Sequence, residues 1–171
     1  MHSRPFPFLI AAIVFALDRI SKEFIKAHIG GWQTLTVIPG LFNIVHTENP
    51  GIAFGMLADA APVWRGVVLI GFSAAVLIAI STILMRGGVK QALLVRGGLA
   101  FILGGALGNL YDRIVNGTVT DFVEVHAGAH YFPAFNVADS AITVGACLLL
   151  LDMWFAKERK VSHASEANLH R

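Results

Sequence analysis

Long apolar runs alternate with polar stretches along the chain. Four of these runs are long enough to cross a bilayer, which takes about 20 mostly apolar residues. They predict helices over about residues 6–26, 65–85, 92–113 and 138–156. The second run, VVLIGFSAAVLIAISTIL, contains no charged residue. The pattern predicts a mainly α membrane protein, a bundle of four transmembrane helices.

The first apolar run acquires charges in its second half. FPFLIAAIVFAL is followed by Asp18, Arg19, Lys22, Glu23 and Lys26. The run resembles the apolar part of a secretory signal, but no small-residue cleavage site follows it. We therefore expect a retained helix whose outer end is wet or buried against protein. Asp18 and Lys22 are four residues apart on one helix face, which favours an internal ion pair over a supporting role near a site.

The segment between the first two predicted helices has a β pattern. TLTVIPGLFNIVHTE contains two apolar, β-branched runs separated by Pro39-Gly40, which is a turn signal. This pattern predicts a small antiparallel β element on the outer surface.

Composition agrees with a membrane location. Hydrophobic residues make up 56% of the 171 residues and charged residues 14%, whereas soluble domains carry about 25% charged residues. We expect one domain over residues 1–156, followed by a polar tail over residues 157–171, of which VSHASEANLHR, residues 161–171, is expected to be disordered. The net charge of +2 is too small to indicate nucleic-acid binding. The single Cys147 excludes an internal disulfide and, in an apolar run, is typical of a small hydrophobe.

Lysine and arginine are distributed unevenly between the loops. The N-terminal tip, the loop between the second and third helices and the C-terminal tail carry them. The loops over about residues 28–63 and 114–137 contain none. By the positive-inside rule, both termini and the middle loop are predicted to be cytoplasmic. These two loops are predicted to face outward.

Two aspartates are the main candidates for chemistry. Acidic side chains in membrane helices cost about 2.5–3.5 kcal/mol at the helix centre, and they persist where they pair, face water or react. Asp139 stands near the outer start of the fourth helix, and Asp121 lies in the preceding loop. Taken singly, Asp139 is explained as a charge that complements the helix dipole, and Asp121 as a solvated loop acid. Because a short loop joins the two helices, we expect the carboxylates to meet at the outer face.

A close pair of carboxylates has a specific chemistry. The pair shares one proton, so one member accepts a proton from water while the other donates one. That is the chemistry of an aspartic protease, and it requires no metal and no cofactor.

Other interpretations have weaker support. His126 and His130 lie in HAGAH, a glycine-containing loop, which argues against a zinc site. GGALG, residues 104–108, indicates close helix packing. Arg113 either reaches the membrane interface or binds a carbonyl or a head group. The non-enzymatic alternatives are a transporter or proton path built on the intramembrane acids, and a structural membrane subunit.

Three blocks of sequence resemble a known family. ENPGIAFG, GGALGNLYDRIVNGTVTDF and FPAFNVADSAITVG resemble, in this order, bacterial lipoprotein signal peptidase, the type II enzyme. The resemblance covers about residues 8–156. It implies a monomeric four-helix aspartyl peptidase of the inner membrane, with its active site near the periplasmic face. Its implied partners are membrane lipid and diacylglyceryl-modified prolipoproteins, which such enzymes cut before the lipidated cysteine.

The resemblance also implies roles for individual residues. Pro50 and Ile52 stand where many family members have other residues. The matching positions are Asp121 and Asp139 for the catalytic pair, Asn49 and Gly51 for a substrate-contacting segment, Asn109, Arg113 and Asn136 for polar residues that line the substrate site, and Asp18 and Lys22 for a supporting pattern in the first helix.

Overall fold

A computed structural model of the chain describes residues 5–31, 33–51, 61–87 and 92–169, with the side chains of residues 62 and 157–169 left aside. Helices and a small sheet alternate along the chain. The elements are α1 (Phe6–His28), β1 (Thr34–Ile38), β2 (Phe42–Asn49), α2 (Pro62–Gly87), α3 (Leu93–Asn116), β3 (Val119–Ala127), β4 (His130–Tyr131) and α4 (Val137–Leu169).

The fold is mainly helical. Within the described residues, three helices are long and apolar enough to cross a membrane: Val63–Gly87, Leu93–Asn116 and Val137–Ala156. They coincide with the second, third and fourth predicted spans. α1 forms over its predicted range but is not among the three, because charged residues fill its second half. A fourth span therefore stays a prediction.

The structure of the C-terminal tail differs from the sequence prediction. Residues 161–171 were expected to be disordered, but α4 continues as far as Leu169. Residues 157–169 lack proline and glycine and include Lys, Glu and Ala, which favour a helix. A helix that is already nucleated by the preceding span extends at low cost, because only its first turn is expensive.

Glycines bring α3 against both α1 and α4. A Cβ atom at Gly105 would lie 2.4 Å from the carbonyl oxygen of Ala138 on α4. A Cβ at Gly104 would lie 2.6 Å from the carbonyl oxygen of Ala11 on α1. The close packing predicted from GGALG is thereby confirmed. A cluster of buried apolar side chains lies beside these crossings and contains Ala11, Ile80, Leu84, Leu99 and Leu103.

Cys147, which the sequence predicts to behave as a small hydrophobe, is exposed on the surface of α4. α4 packs on α3 through the face that carries Ala138, Ala141 and Gly145. Cys147 lies on another face of the helix, which a membrane would cover with lipid.

The sheet has four antiparallel strands in the order β1-β2-β3-β4. The β1–β2 hairpin confirms the β element predicted from TLTVIPGLFNIVHTE, with Gly40 at φ 79° in its turn. β3 was not predicted, since residues 114–137 were treated as a loop. Asp121 therefore lies in a strand, and the signal for it was the β-branched, alternating run VTDFVEV.

Candidate active site

Asp121 and Asp139 line the same cavity, which has a volume of about 970 Å³. Asp121 lies on β3 and is 3% exposed, while Asp139 is in the first turn of α4. The cavity is mostly apolar on the side of Phe132, Phe135 and Ile142. A mostly apolar cleft with a few convergent polar groups is the usual form of a ligand site.

Two asparagine side chains connect the carboxylates. Asn136 Nδ2 donates to Asp121 Oδ1 at 2.7 Å, and Asn109 Nδ2 donates to Asp139 Oδ1 at 2.7 Å. Asn136 Nδ2 also lies 3.3 Å from Asn109 Oδ1, which closes the link between the two aspartates. The carboxylates thus face one cavity through a continuous set of hydrogen bonds.

The start of α4 fixes Asp139 through reciprocal capping. The backbone N–H of Asp139 donates to Asn136 Oδ1 at 2.9 Å, and the N–H of Asn136 donates to Asp139 Oδ2 at 3.3 Å. This is the arrangement of a capping box, formed here by an Asn and an Asp three residues apart. Because the Asn136 oxygen faces the helix, its amide hydrogens face Asp121.

The Asp121 carboxyl group holds its proton more tightly than an ordinary aspartate. Burial raises the pKa of Asp121 to about 7, and the nearby charge of Asp139 acts in the same direction. Hydrogen bonds from Asn49 and Asn136 and the charge of Lys22 lower this pKa. A carboxyl group with such a pKa exchanges its proton near neutral pH, as general acid–base catalysis requires.

A buried cation lies behind the two aspartates. Lys22 has no exposed surface, and its Nζ lies 2.8 Å from Asp18 Oδ2, 2.8 Å from Asp112 Oδ2 and 3.1 Å from Asn109 Oδ1. The predicted ion pair between Asp18 and Lys22 is confirmed. An ammonium group only donates, so the Asn109 oxygen faces Lys22 and its amide hydrogens face Asp139.

Asp112 is a buried residue of this network that sequence reasoning did not include. It pairs with Lys22 and with Arg19, which also contacts Glu23. These partners lie on another helix, roughly 90 positions away. A single sequence gives no signal for such a pairing.

Asp18 also fixes the start of α4. Its Oδ1 accepts the backbone N–H of Ala138 at 2.9 Å, and Gly108 packs directly against its carboxylate. A carboxylate at a helix N-terminus is favoured by the helix dipole. Through this contact α1 holds the start of α4, and with it Asp139, in place.

Arg113 binds carbonyl oxygens, which is one of the alternatives left open by the sequence. Its guanidinium donates to the carbonyl of Asn109 at 3.3 Å and to that of Gly51 at 3.1 Å. The N–H of Gly51 donates to Asn49 Oδ1 at 3.0 Å, and Asn49 Nδ2 donates to Asp121 Oδ2 at 3.1 Å. The end of β2 is thus attached to the site from two directions.

The structure brings every site residue named from the sequence into this one network, and it places the candidate metal ligands elsewhere. The imidazole of His126 stacks on Tyr131 with ring centroids 4.7 Å apart, and His130 lies on β4. Among the described residues, no three His, Cys, Asp or Glu side chains are arranged to hold a metal ion.

Comparison with known proteins places the chain among similar sequences and structures. A family model described as Signal peptidase (SPase) II matches residues 10–155. A lipoprotein signal peptidase of Solibacter usitatus (strain Ellin6076) is 44% identical over 145 residues, covering 84% of this chain and 87% of that protein. A lipoprotein signal peptidase of Pseudomonas aeruginosa (strain UCBPP-PA14) is 46% identical over 150 residues, covering 87% of this chain and 88% of that protein. A bacterial membrane enzyme structure, determined by the in meso method at 2.3 Å resolution, matches with a TM-score of 0.80 and 28% identity over 91% of each chain.

Proposed function

Because the chain belongs to the signal peptidase II family of aspartic-type peptidases, we propose that it cuts diacylglyceryl-modified prolipoproteins just before their lipidated cysteine. Family membership supports the removal of signal peptides from prolipoproteins, and it does not favour the transporter alternative. The finer proposal rests on one observation: two carboxylates, each bound by an asparagine side chain, line the same mostly apolar cavity.

We assign different roles to the two aspartates. Asp139 accepts a proton from a water molecule whose oxygen attacks the scissile carbonyl carbon. Asp121 enters the reaction protonated, in keeping with its raised pKa, and donates its proton to the carbonyl oxygen, which gives a tetrahedral diol. Asp139 then passes the proton it took from water to the nitrogen of the lipidated cysteine. The C–N bond breaks, the amine leaves, and Asp121 takes back a proton from the diol as the carboxyl product forms. No covalent enzyme intermediate and no metal take part.

The cavity suits a substrate with lipid at its cleavage site. Phe132, Phe135, Ile142 and Val144 provide apolar surface next to the two carboxylates. In our proposal these side chains hold the acyl chains, while Asn49 and Arg113 bind polar backbone near the scissile bond. The signal peptide is itself an apolar helix, so a site at the outer ends of α3 and α4 reaches its cleavage point at the membrane interface.

We propose that α1 is a fourth membrane span. Its charged residues Asp18 and Lys22 are fully buried against α3 and α4. Over residues 6–20 its exposed side chains are all apolar and include Phe6, Leu9, Ile13, Leu17 and Ile20. The exposed Glu23, which pairs with Arg19, lies in the C-terminal part of the helix, at its outer end in this topology. Buried charges that are paired inside a bundle do not meet lipid, so they do not prevent insertion.

This arrangement gives a testable topology with both termini in the cytoplasm. In a Cys147→Ser background, an impermeant maleimide is expected to label Ala127→Cys in intact spheroplasts and Pro5→Cys only after lysis. Labelling of Pro5→Cys in intact spheroplasts would contradict α1 as a span.

The proposed substrate class is tested by cleavage in detergent. Purified protein is incubated with one prolipoprotein prepared with and without its diacylglyceryl group. We expect cleavage before the cysteine of the lipidated form only. Equal rates on both forms would contradict the lipid-binding role of the cavity. No cleavage of either form by a well-folded protein would contradict the peptidase assignment.

A further inference from the structure

Glu48, at the edge of the cavity, connects the two strands that carry Asn49 and Asp121. It lies on β2 directly opposite Thr120 on β3. Its Oε2 accepts a hydrogen bond from the Thr118 hydroxyl at 2.6 Å, and its Oε1 accepts one from the Thr120 hydroxyl at 3.0 Å. Hydrogen bonds to an ionised acceptor are about twice as strong as those between neutral groups. The carboxylate therefore ties β2 to β3 beside the site.

A third contact connects the same carboxylate to the end of α1. His46 Nε2 lies 3.3 Å from Glu48 Oε1, and His46 Nδ1 lies 2.8 Å from the carbonyl oxygen of Ile29. His46 therefore lies between the Glu48 carboxylate and the end of α1, within hydrogen-bonding distance of both.

The pairing of β2 with β3 is irregular close to this tie. Ile44 pairs with Val123, but Thr47 pairs with Asp121, so β2 contains one residue more than β3 in this interval. Such a β-bulge interrupts the ladder, and a slip of one residue turns every side chain to the opposite face. The regular pairing before the bulge therefore does not fix the register at Asp121.

The register of β2 and β3 at Glu48 and Thr120 also determines the distance between Asn49 and Asp121 on the opposite face of the sheet. Side chains alternate along a strand, so Glu48 and Thr120 share one face while Asn49 and Asp121 occupy the other. On that second face, Asn49 Nδ2 donates to Asp121 Oδ2 at 3.1 Å. The carbonyl oxygen of Thr120 also accepts Asn136 Nδ2 at 3.3 Å. A shift of Thr120 would therefore disturb the hydrogen bonds that Asn49 and Asn136 donate to Asp121.

We propose that Glu48 is a positioning residue of the active site. Through Thr118 and Thr120 it holds β2 in register with β3 after the bulge, and so keeps Asn49 on Asp121. The inference rests on the proposed function, in which Asp121 is catalytic.

The test uses substitutions that change one group at nearly constant size. Thr118→Val removes a hydroxyl donor and keeps high β propensity, while Thr118→Ser restores the hydroxyl. Glu48→Gln removes the charge. Glu124→Gln is the matched control, because Glu124 accepts a cross-strand hydrogen bond from Asn43 at 2.8 Å on the other side of the bulge. For each variant, kcat, KM and the melting temperature are measured with lipidated prolipoprotein, beside wild type and Asp121→Asn.

Thr118→Val and Glu48→Gln are expected to lower kcat roughly tenfold or more, because small misplacements in an active site cost up to about a hundredfold. KM should change less than about twofold, and Thr118→Ser and Glu124→Gln should keep the wild-type kcat. Wild-type kcat in Thr118→Val, an effect on KM alone, or an equal loss in Glu124→Gln would overturn the positioning role. If Glu48→Gln does not fold, the kcat values of Thr118→Val and Thr118→Ser decide whether the positioning role holds. No cleavage by wild type, or full activity of Asp121→Asn, would instead overturn the proposed function, and the positioning role with it.

Discussion

At the scale of single residues, the two aspartates differ in what surrounds them. Asp121 is buried in a strand and receives amide hydrogen bonds from Asn49 and Asn136. Asp139 stands in the first turn of a helix, where a backbone N–H and the amide of Asn109 face its oxygens. Different environments for two nearby carboxyl groups are how enzymes separate an acid from a base.

The protonation of Asp121 predicts the pH dependence of cleavage. Its pKa of about 7 means that the protonated acid is lost as the pH rises through about 7, so kcat/KM should fall over that range. Asn49→Leu removes a hydrogen bond that lowers this pKa, so the fall should move to higher pH. Thr36→Val, on the exposed strand β1, is the control and should leave the profile unchanged. A fall that stays in place or moves to lower pH in Asn49→Leu would contradict this role of Asp121.

Sequence reasoning was most successful for residues with local signals. The Asp18–Lys22 pair follows from a spacing of four in a helix. The capping of α4 by Asn136 and Asp139, three positions apart, was not predicted, although its signal is local. Asp112 was not predicted, because its partners Arg19 and Lys22 are distant in sequence. Contacts between helices depend on their rotation and depth, which one sequence does not reveal.

At the scale of elements, the approach of α3 to α4 determines the position of Asp139. Gly105 packs on the carbonyl of Ala138, the residue just before Asp139. The approach of these helices also lets Asn109 reach the Asp139 carboxylate. The apolar runs were sufficient to predict these helices. β3 was not predicted, since its short alternating run was overlooked between two much stronger helical signals.

Two alanine substitutions test this dependence. Gly105→Ala would place a Cβ 2.4 Å from the Ala138 oxygen, so α4 must shift away from α3. We expect a lower melting temperature and a fall in kcat of roughly tenfold or more, by displacement of Asp139. Gly97→Ala, whose Cβ would lie 3.9 Å from Leu148, should keep both values. Equal behaviour of the two variants would show that helix separation does not set the rate.

At the scale of the whole molecule, a set of paired charged groups is buried between the helices, and many large apolar side chains are exposed. Lys22, Asp18 and Asp112 are fully buried, whereas large apolar side chains cover the exposed faces of the helices. A bilayer accounts for the apolar exterior, and a catalytic site that needs charge accounts for the polar interior. Composition alone predicted the apolar exterior. The buried charges required the structure, because they depend on which charged groups meet.

The central claim is that Asp121 and Asp139 together carry out hydrolysis, and cleavage by their asparagine variants tests it most directly. Purified wild type, Asp121→Asn, Asp139→Asn and the control Asp152→Asn are compared on lipidated prolipoprotein, with substrate binding measured in the same samples. Each dyad variant should bind substrate like wild type and lose at least about a hundredfold in kcat, whereas Asp152→Asn should cleave normally. Wild-type cleavage by either dyad variant would contradict the account.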